Sequence, residues 1–235
     1  MIVIFRPYDI LATSRTDGLI EAIPDTVSLH ALKEKDPAFT TLKDFFIRFF
    51  GKETSTPFKC ARGRFVASLA ASSIVCFLLQ IKDRHNGNIL IHRDGRLMHF
   101  DFGFLLCQSP GHNFHFETAP FKLSEEFVEL MGGRDSLTFL RFRRLCLRLY
   151  LVARQDSETL LLMVQMMMVG NASQVPCFSV LHHTEDVLDA LRDRFKLSAT
   201  TQECAVRDAL VLLMLTFGAP KYLRCVLGFC QSACG

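Results

Sequence analysis

The sequence predicts an α+β protein in which a short β segment, residues 1–23, precedes a mostly helical lobe, residues 24–235, that contains one β-hairpin. Short apolar runs broken by turn residues fill the first segment, and helical spacing of apolar residues dominates the second. Within the second segment, residues 89–101 read as two strands joined by Asp94-Gly95. With 49% hydrophobic residues, the chain has enough apolar material for a folded core.

The elements follow in order along the chain. Thr16-Asp17-Gly18 predicts a turn between two apolar runs, "DILATS" and "LIEAI". Leu42–Phe50 predicts a helix that ends at Gly51, because glycine commonly occupies the position just after a helix. Phe58–Ile81 predicts a second, long apolar helix.

The uncharged part of that long helix raises the question of a membrane span. Phe65–Ile81 just touches the lower length limit of roughly 17–25 residues for a transmembrane helix. Several serines in this stretch would be costly in lipid, and Arg64 and Lys82 flank it symmetrically. We therefore expect a helix that is buried inside the protein.

Beyond the hairpin, Leu105–Pro120 is an irregular stretch rich in Ser, Pro, Gly, His and Phe. Helical periodicity then continues to the end of the sequence, with breaks at Gly132-Gly133, Gly170-Asn171, Val175-Pro176 and Gly218-Ala219-Pro220.

The composition indicates which kinds of partner and which cellular compartment to expect. The net charge is +3 and no run of five Lys or Arg residues occurs, so we expect no nucleic-acid partner. Nine cysteines, an odd number without a C-x-x-C pair, fit a reducing compartment. The N-terminal "MIVIF" lacks the three regions of a secretory signal, and we expect a cytoplasmic protein.

The hairpin brings two polar clusters together. If Asp94-Gly95 forms a two-residue turn, His92 faces Leu97, Leu90 faces His99, and Asn88 faces Asp101. An amide oxygen and a carboxylate at that separation suit Mg²⁺. Asp83 and His85, on the loop that enters the hairpin, are then placed to meet a substrate hydroxyl beside the metal. The plainer alternative is a hairpin with an exposed acidic end.

The segments "LLQIKDRHNGNIL", "HFDFGF", "SPGHNFHFETAPFKLSEEFVELMGG" and "VPCF" resemble the phosphatidylinositol 3- and 4-kinase superfamily, and most closely its type III beta phosphatidylinositol 4-kinases. The resemblance runs from about Phe5 and weakens after about Thr200. It implies a protein-kinase-like fold with two lobes, the use of ATP with Mg²⁺ or Mn²⁺, and phosphate transfer to the 4-hydroxyl of phosphatidylinositol.

The resemblance also implies roles for individual residues. Asn88 and Asp101 would hold the metal, His85 would be the candidate base, and Asp83 would orient the catalytic loop or the hydroxyl. The choice of base between Asp83 and His85 stays open. "GLIEAI" resembles the hinge between the lobes, which makes the adenine contacts Ile20, Glu21, Ala22 and Ile23, with backbone hydrogen bonds from Glu21 and Ile23.

Three loops of the lobe follow from the same resemblance: a catalytic loop at residues 82–88, a metal-binding loop at 101–103 and an activation loop at 104–122. The substrate contacts of the activation loop would be His112, Asn113 and His115. No Lys or Arg occurs from Phe102 to Phe121, which predicts a head group without ring phosphates.

The sequence also departs from the family. No lysine precedes the hinge, and Gly18 is the only glycine there, so the glycine-rich loop and the nucleotide-binding lysine are not found. We therefore expect the hinge and C-terminal lobe of a kinase, without activity as an isolated chain. The alternatives are a truncated or degenerate non-catalytic paralogue that acts as a binding module, and a phosphatidylinositol-kinase-like protein kinase. The resemblance implies peripheral binding to Golgi or other intracellular membranes and leaves regulatory protein partners open.

Overall fold

The computed structural model describes residues 7–14, 17–106, 119–169, 184–198 and 200. In this part of the chain the strands are β1 Ile10–Ala12, β2 Gly18–Ile20, β3 Thr26–Ser28, β4 Ile89–His92 and β5 Leu97–His99. The helices are α1 Leu29–Lys35, α2 Leu42–Phe50, α3 Thr56–Leu79, α4 Glu125–Leu130, α5 Leu137–Gln155, α6 Ser157–Met168 and α7 Thr184–Phe195, with a 3-10 turn at Asn86–Asn88. The predicted mixture of a helical lobe with small sheets is confirmed.

The first sheet is a hairpin of β1 and β2, which pair antiparallel with Ile10 opposite Ile20 and Ala12 opposite Gly18. The turn predicted around Asp17 connects them, since the amides of Thr13 and Ser14 both donate to the Asp17 carbonyl. The apolar side chains of this hairpin are largely exposed in the described chain.

The second sheet has the strand order β3-β4-β5 and is antiparallel throughout. Strand β3 was not predicted, because the short run "TVS" gives no period of its own and is followed directly by helical spacing. It pairs along β4, with Thr26 opposite His92 and Ser28 opposite Leu90. The segment that follows the predicted hinge is thereby tied to the hairpin.

The predicted register of the β4–β5 hairpin is wrong by one residue. Ile89 lies opposite His99, Leu90 opposite Met98 and Ile91 opposite Leu97, so none of the three predicted pairs forms. The Asn88 carbonyl instead accepts a hydrogen bond from the Phe100 amide at 3.2 Å, and Asp101 lies one residue beyond that pair.

The cause of the shift is the connection between the strands. The His92 amide donates to the Arg96 carbonyl at 2.9 Å, and the Gly95 amide donates to the His92 carbonyl at 2.8 Å. Within this larger loop, Asp94 Oδ1 lies 2.8 Å from His92 Nδ1 and accepts from the Arg96 amide at 3.2 Å. The carboxylate of Asp94 therefore closes a loop that is longer than the expected two residues.

Helix α3 is the centre of the lobe, as its apolar sequence predicted. Its N-terminus is capped by Ser55, whose side chain accepts from the Phe58 amide, and its C-terminal cap, Gln80, is left-handed with φ of 49°. Of the described helices, only α3 is long and apolar enough to cross a membrane, and 56% of its most apolar stretch is buried inside the protein. The prediction of a buried helix is confirmed.

Other helices pack around α3 through aromatic contacts. The ring of Phe65 on α3 meets Phe46 of α2 at 5.8 Å and Phe127 of α4 at 5.5 Å, both edge to face. Helix α2 ends at Gly51 as predicted. Gly132 and Gly133, both with φ near 90°, separate α4 from α5 where the break was expected. The predicted breaks at 170–171, 175–176 and 218–220, and most of the irregular stretch 105–120, lie outside the described residues.

Candidate active site

Two loops run side by side where α3 ends. After Gln80, the Lys82 amide donates to the Phe104 carbonyl at 2.9 Å, and the Leu106 amide donates to the Leu79 carbonyl at 2.6 Å. The predicted catalytic loop and the start of the predicted activation loop are therefore joined along their backbones. Because the Asn88 carbonyl and Phe100 amide also pair, the metal-binding loop is held between them.

The buried side chain of Arg84, 5% exposed, hydrogen-bonds to both loops. Its Nε donates to the Lys82 carbonyl at 3.0 Å and its Nη1 to the Phe100 carbonyl at 2.8 Å, and Nη2 donates to the Asp101 carbonyl. The guanidinium also lies 5.5 Å from the centre of the Phe102 ring. The planar group thus satisfies carbonyls of both loops while stacking on the second.

Asn88 and Asp101, the predicted metal residues, lie on adjacent backbone segments in different environments. Asn88 is 4% exposed and its Nδ2 donates to the Asp83 carbonyl at 2.9 Å, which turns the amide nitrogen away from any cation. Asp101 is exposed, and its Oδ1 accepts from the Gly103 amide at 3.2 Å. An amide oxygen and a carboxylate are hard oxygen donors of the kind that Mg²⁺ prefers, so the residue types of Asn88 and Asp101 fit such a cation.

These residues fit a nucleotide-bound metal better than a metal held by protein alone. Among the described residues, no group of three or more His, Cys, Asp or Glu side chains is placed to hold a metal ion. Mg²⁺ commonly takes one or two protein oxygens and completes its shell with water and nucleotide phosphate. The donor set of Asn88 and Asp101 matches that pattern.

Asp83 and His85 approach each other on the catalytic loop. His85 Nε2 lies 4.0 Å from Asp83 Oδ2, and His85 Nδ1 accepts a hydrogen bond from the Gly87 amide at 3.0 Å. A neutral imidazole that accepts at Nδ1 carries its proton on Nε2. In this geometry His85 Nδ1 is occupied by the Gly87 amide, and Nε2 is the ring nitrogen that faces the Asp83 carboxylate.

The predicted hinge lies at the other end of strand β4. Ile20 ends β2, Glu21 and Ala22 are exposed, and the Glu21 amide donates to the Asp9 carbonyl at 2.8 Å. The Ile23 carbonyl accepts from the Thr26 hydroxyl at 2.8 Å, just before β3 begins. The Glu21 amide, which was among the backbone groups predicted to contact adenine, is therefore already hydrogen-bonded within the β1–β2 hairpin.

The pairing of β3 with β4 sets the distance between hinge and metal residues. The hinge end of β3 lies beside His92, whereas Asn88 precedes the opposite end of β4. At about 3.3 Å per residue, four residues place these ends about 13 Å apart. The predicted hinge and the predicted metal residues therefore lie toward opposite ends of β4.

Two lysine contacts that the sequence did not reveal join residues 119–122 to the predicted catalytic loop. Lys122 Nζ donates to Asn86 Oδ1 at 2.8 Å, and Lys82 Nζ donates to the Ala119 carbonyl at 3.5 Å. Neither Arg84 nor Lys122 was predicted as a site residue, since only knowledge of the loop pairing distinguishes them from surface cations. The predicted substrate residues His112, Asn113 and His115 lie outside the described residues.

A cavity of about 350 Å³ lies behind the metal-binding loop, lined by residues of the N-terminal segment, α3 and β5 together with Phe102. Its polar groups include Cys76, whose Sγ lies 3.5 Å from His99 Nδ1. Burial, with the positive charges of Arg84 and Lys122, lowers the pKa of His99 to about 3. The imidazole of His99 is therefore neutral at physiological pH.

Comparison of the sequence with known proteins identifies the family of this chain. Residues 2–179 match the family described as phosphatidylinositol 3- and 4-kinase. The chain is 46% identical over 200 residues to "Phosphatidylinositol 4-kinase" of Dictyostelium discoideum, covering 85% of this chain and 16% of that protein. It is 44% identical over 215 residues to "Phosphatidylinositol 4-kinase beta 1" of Arabidopsis thaliana, covering 90% of this chain and 18% of that protein.

A human relative, "Phosphatidylinositol 4-kinase beta", is 40% identical over 198 residues, which is 84% of this chain and 23% of the human protein. The chain thus spans about a fifth of the length of these relatives. The family match covers the β1–β2 hairpin, the catalytic loop, the metal-binding loop and the helices through α6. The resemblance read from the sequence is confirmed: the chain belongs to the phosphatidylinositol 3- and 4-kinase family.

Proposed function

We propose that this chain supplies the hinge and catalytic lobe of a phosphatidylinositol 4-kinase, in which the γ-phosphate of ATP is transferred to the 4-hydroxyl of phosphatidylinositol. The observation that carries the proposal is the set of hydrogen bonds from the Arg84 side chain to both loops. These bonds hold the loop that contains Asp83, His85 and Asn88 against the loop that contains Asp101. The names of the relatives support the choice of substrate and of the 4-position.

In the proposed reaction, the oxygen of the 4-hydroxyl forms a bond to the γ-phosphorus, and the bond from that phosphorus to the β–γ bridging oxygen breaks. ADP leaves, and the hydroxyl proton passes to the carboxylate of Asp83. His85, whose Nε2 lies 4.0 Å from Asp83 Oδ2, would support that carboxylate electrostatically. Bound Mg²⁺, held by Asn88 and Asp101, would neutralise charge on the phosphates.

The other residues predicted from the sequence take supporting roles in this proposal. The backbone of Ile20, Glu21, Ala22 and Ile23 would receive the adenine at one end of β4. His112, Asn113 and His115 would contact the inositol ring. Catalysis would take place at the cytoplasmic face of the Golgi or another intracellular membrane, where the lipid resides.

The test replaces the matching segment of the Dictyostelium phosphatidylinositol 4-kinase with residues 2–179 of this chain. The chimera is incubated with radiolabelled ATP, and the substrate is either phosphatidylinositol vesicles or a protein mixture. Chromatography that separates the 3-, 4- and 5-phosphates identifies the lipid product. We expect phosphatidylinositol 4-phosphate and no labelled protein.

The Asp101→Asn chimera should lose transfer by at least roughly 100-fold, because the larger part of the protein charge on the metal is removed. Asp135→Asn, at an exposed aspartate between α4 and α5, is the matched control and should leave the rate unchanged. A labelled 3-phosphate, labelled protein, or full activity of the Asp101 variant would contradict the proposal. An inactive chimera that binds membranes would favour the non-catalytic alternative.

A further inference from the structure

The end of the predicted activation loop contacts the predicted catalytic loop through the charged side chain of Lys122. Lys122 is partly buried, and its Nζ donates to Asn86 Oδ1 at 2.8 Å. Asn86 opens the 3-10 turn that ends at Asn88 and follows His85 directly. The ammonium of Lys122 is therefore placed beside the predicted catalytic loop, at a residue that lies in sequence between His85 and Asn88.

A second contact fixes the same segment. Lys82 Nζ donates to the Ala119 carbonyl at 3.5 Å, while the backbone of Lys82 pairs with that of Phe104. Both ends of the predicted activation loop thus lie against the catalytic loop. Residues 119–122 are thus held against the catalytic loop by the contacts of Lys82 as well as by the side chain of Lys122.

The distribution of positive charge along this segment indicates what Lys122 could bind. No Lys or Arg occurs from Phe102 to Phe121, so Lys122 is the first cation after the metal-binding loop. Phosphatidylinositol carries one formal charge, on the phosphodiester that joins inositol to glycerol. A lysine ammonium is a compact point charge that commonly binds phosphate.

We propose that Lys122 binds the phosphodiester of the phosphatidylinositol head group and that Asn86 positions its ammonium for that contact. The inference rests on the proposed lipid substrate and adds to it the residue that recognises the only charged group of the head group. The nucleotide phosphates are assigned elsewhere, to the metal that Asn88 and Asp101 would hold. Asn88 follows Asn86 by two residues, and Asp101 follows the whole β4–β5 hairpin.

The test measures ligand binding by the whole 235-residue chain, so it does not depend on catalysis. The probes are glycerophosphoinositol, which contains the phosphodiester, myo-inositol, which lacks it, and Mg²⁺–ADP. Binding is followed by NMR titration for the native chain and for Lys122→Gln, Lys122→Arg and Lys59→Gln. Lys59 is an exposed lysine in the first turn of α3. It is a matched control because α3 places it about 25 Å along the helix from Cys76, which contacts His99 next to the end of the catalytic loop.

We expect the native chain to bind glycerophosphoinositol more tightly than inositol. Lys122→Gln should weaken glycerophosphoinositol binding by about tenfold and leave inositol and Mg²⁺–ADP unchanged. Lys122→Arg should retain most of the affinity, and Lys59→Gln all of it. Should Lys122→Gln lower the unfolding midpoint, Asn86→Ala serves as the second variant, with an expected loss of about threefold for glycerophosphoinositol alone.

Equal affinity of the Lys122→Gln and native chains for glycerophosphoinositol would overturn the inference while leaving the proposed function intact. A loss of Mg²⁺–ADP binding instead would assign Lys122 to the nucleotide and overturn it as well. If the native chain bound neither inositol nor glycerophosphoinositol, the proposed lipid substrate itself would fail, and the role of Lys122 with it.

Discussion

The Nη1 group of Arg84 donates to the Phe100 carbonyl at 2.8 Å, joining two loops that are 16 residues apart in the sequence. The same side chain also reaches the carbonyls of Lys82 and Asp101. Arg84 is thus the physical link between the residues assigned to the hydroxyl and those assigned to the metal.

Arg84→Lys should lower the free energy of unfolding by about 2–3 kcal/mol, because one ammonium cannot satisfy three carbonyls arranged for a planar guanidinium. Arg93→Lys is the control. Arg93 is 71% exposed and lies 3.5 Å from Asp25, so its replacement should change stability by less than about 0.5 kcal/mol. Urea unfolding followed by circular dichroism measures both, and equal losses would remove Arg84 from its assigned role.

The tautomer of His85 predicts a kinetic difference within the catalytic loop. Asp83→Asn should lower kcat of the chimera by roughly 100-fold or more, because it removes the proton acceptor. His85→Asn should cost about tenfold at most, because the asparagine amide oxygen can still accept from the Gly87 amide. Single-turnover assays with saturating lipid compare the two. The reverse order would make His85 the base.

The lowered pKa of His99 predicts a dependence of stability on pH. The pKa is about 3 in the folded chain against 6.5 for an ordinary histidine, so between these values only the unfolded chain binds the proton. The stability that neutral His99 confers is complete above pH 6.5 and is lost as pH falls toward 3. From about pH 7.5 to about pH 5.5 the native chain should therefore lose about 1.4 kcal/mol more than His99→Gln. Denaturant unfolding at both pH values tests this, and parallel pH profiles would refute it.

Two glycines predict opposite effects of the same substitution. Gly95, in the β4–β5 loop, has φ of 93°, and an added Cβ would lie 2.8 Å from Ala61 Cβ and 2.9 Å from its carbonyl oxygen. Gly95→Ala should destabilise the chain by about 2 kcal/mol or more through backbone strain and overlap. Gly63→Ala, within α3 and with nothing within 4 Å, should stabilise it by about 0.5–1 kcal/mol. Thermal unfolding of the two variants gives the comparison, and a shift of the same sign in both would count against it.

The sequence predicted the elements whose signals are local. The apolar spacing of α2 and α3, the end of α2 at Gly51 and the break at Gly132-Gly133 all form as expected. Each depends on residues within one or two turns of the chain, so pattern and capping rules suffice.

The sequence did not predict the features that depend on contacts between distant residues. The hairpin register shifted because Asp94 hydrogen-bonds inside its own loop, which the Asp94-Gly95 dipeptide does not reveal. In the sequence, Arg84 was only one of the charged residues in a motif. Its burial is evident only in the folded chain, where the second loop packs against it. Asn88 and Asp101 were predicted as metal residues because both residue types and their spacing are unusual together. Their predicted pairing was wrong by one residue, since the Asn88 carbonyl pairs with the Phe100 amide.

Asp83 and Asp101 both hold left-handed backbone conformations, with φ of 61° and 59°. For residues other than glycine such a conformation costs on the order of 1 kcal/mol, and glycine at either position would relieve it. In a lineage released from selection for phosphate transfer, mutations to glycine at these two positions would be favoured because they would raise stability. Active members of such a lineage should keep both carboxylates although glycine would be more stable there. The presence of both aspartates in a sequence can therefore separate active members from inactive ones.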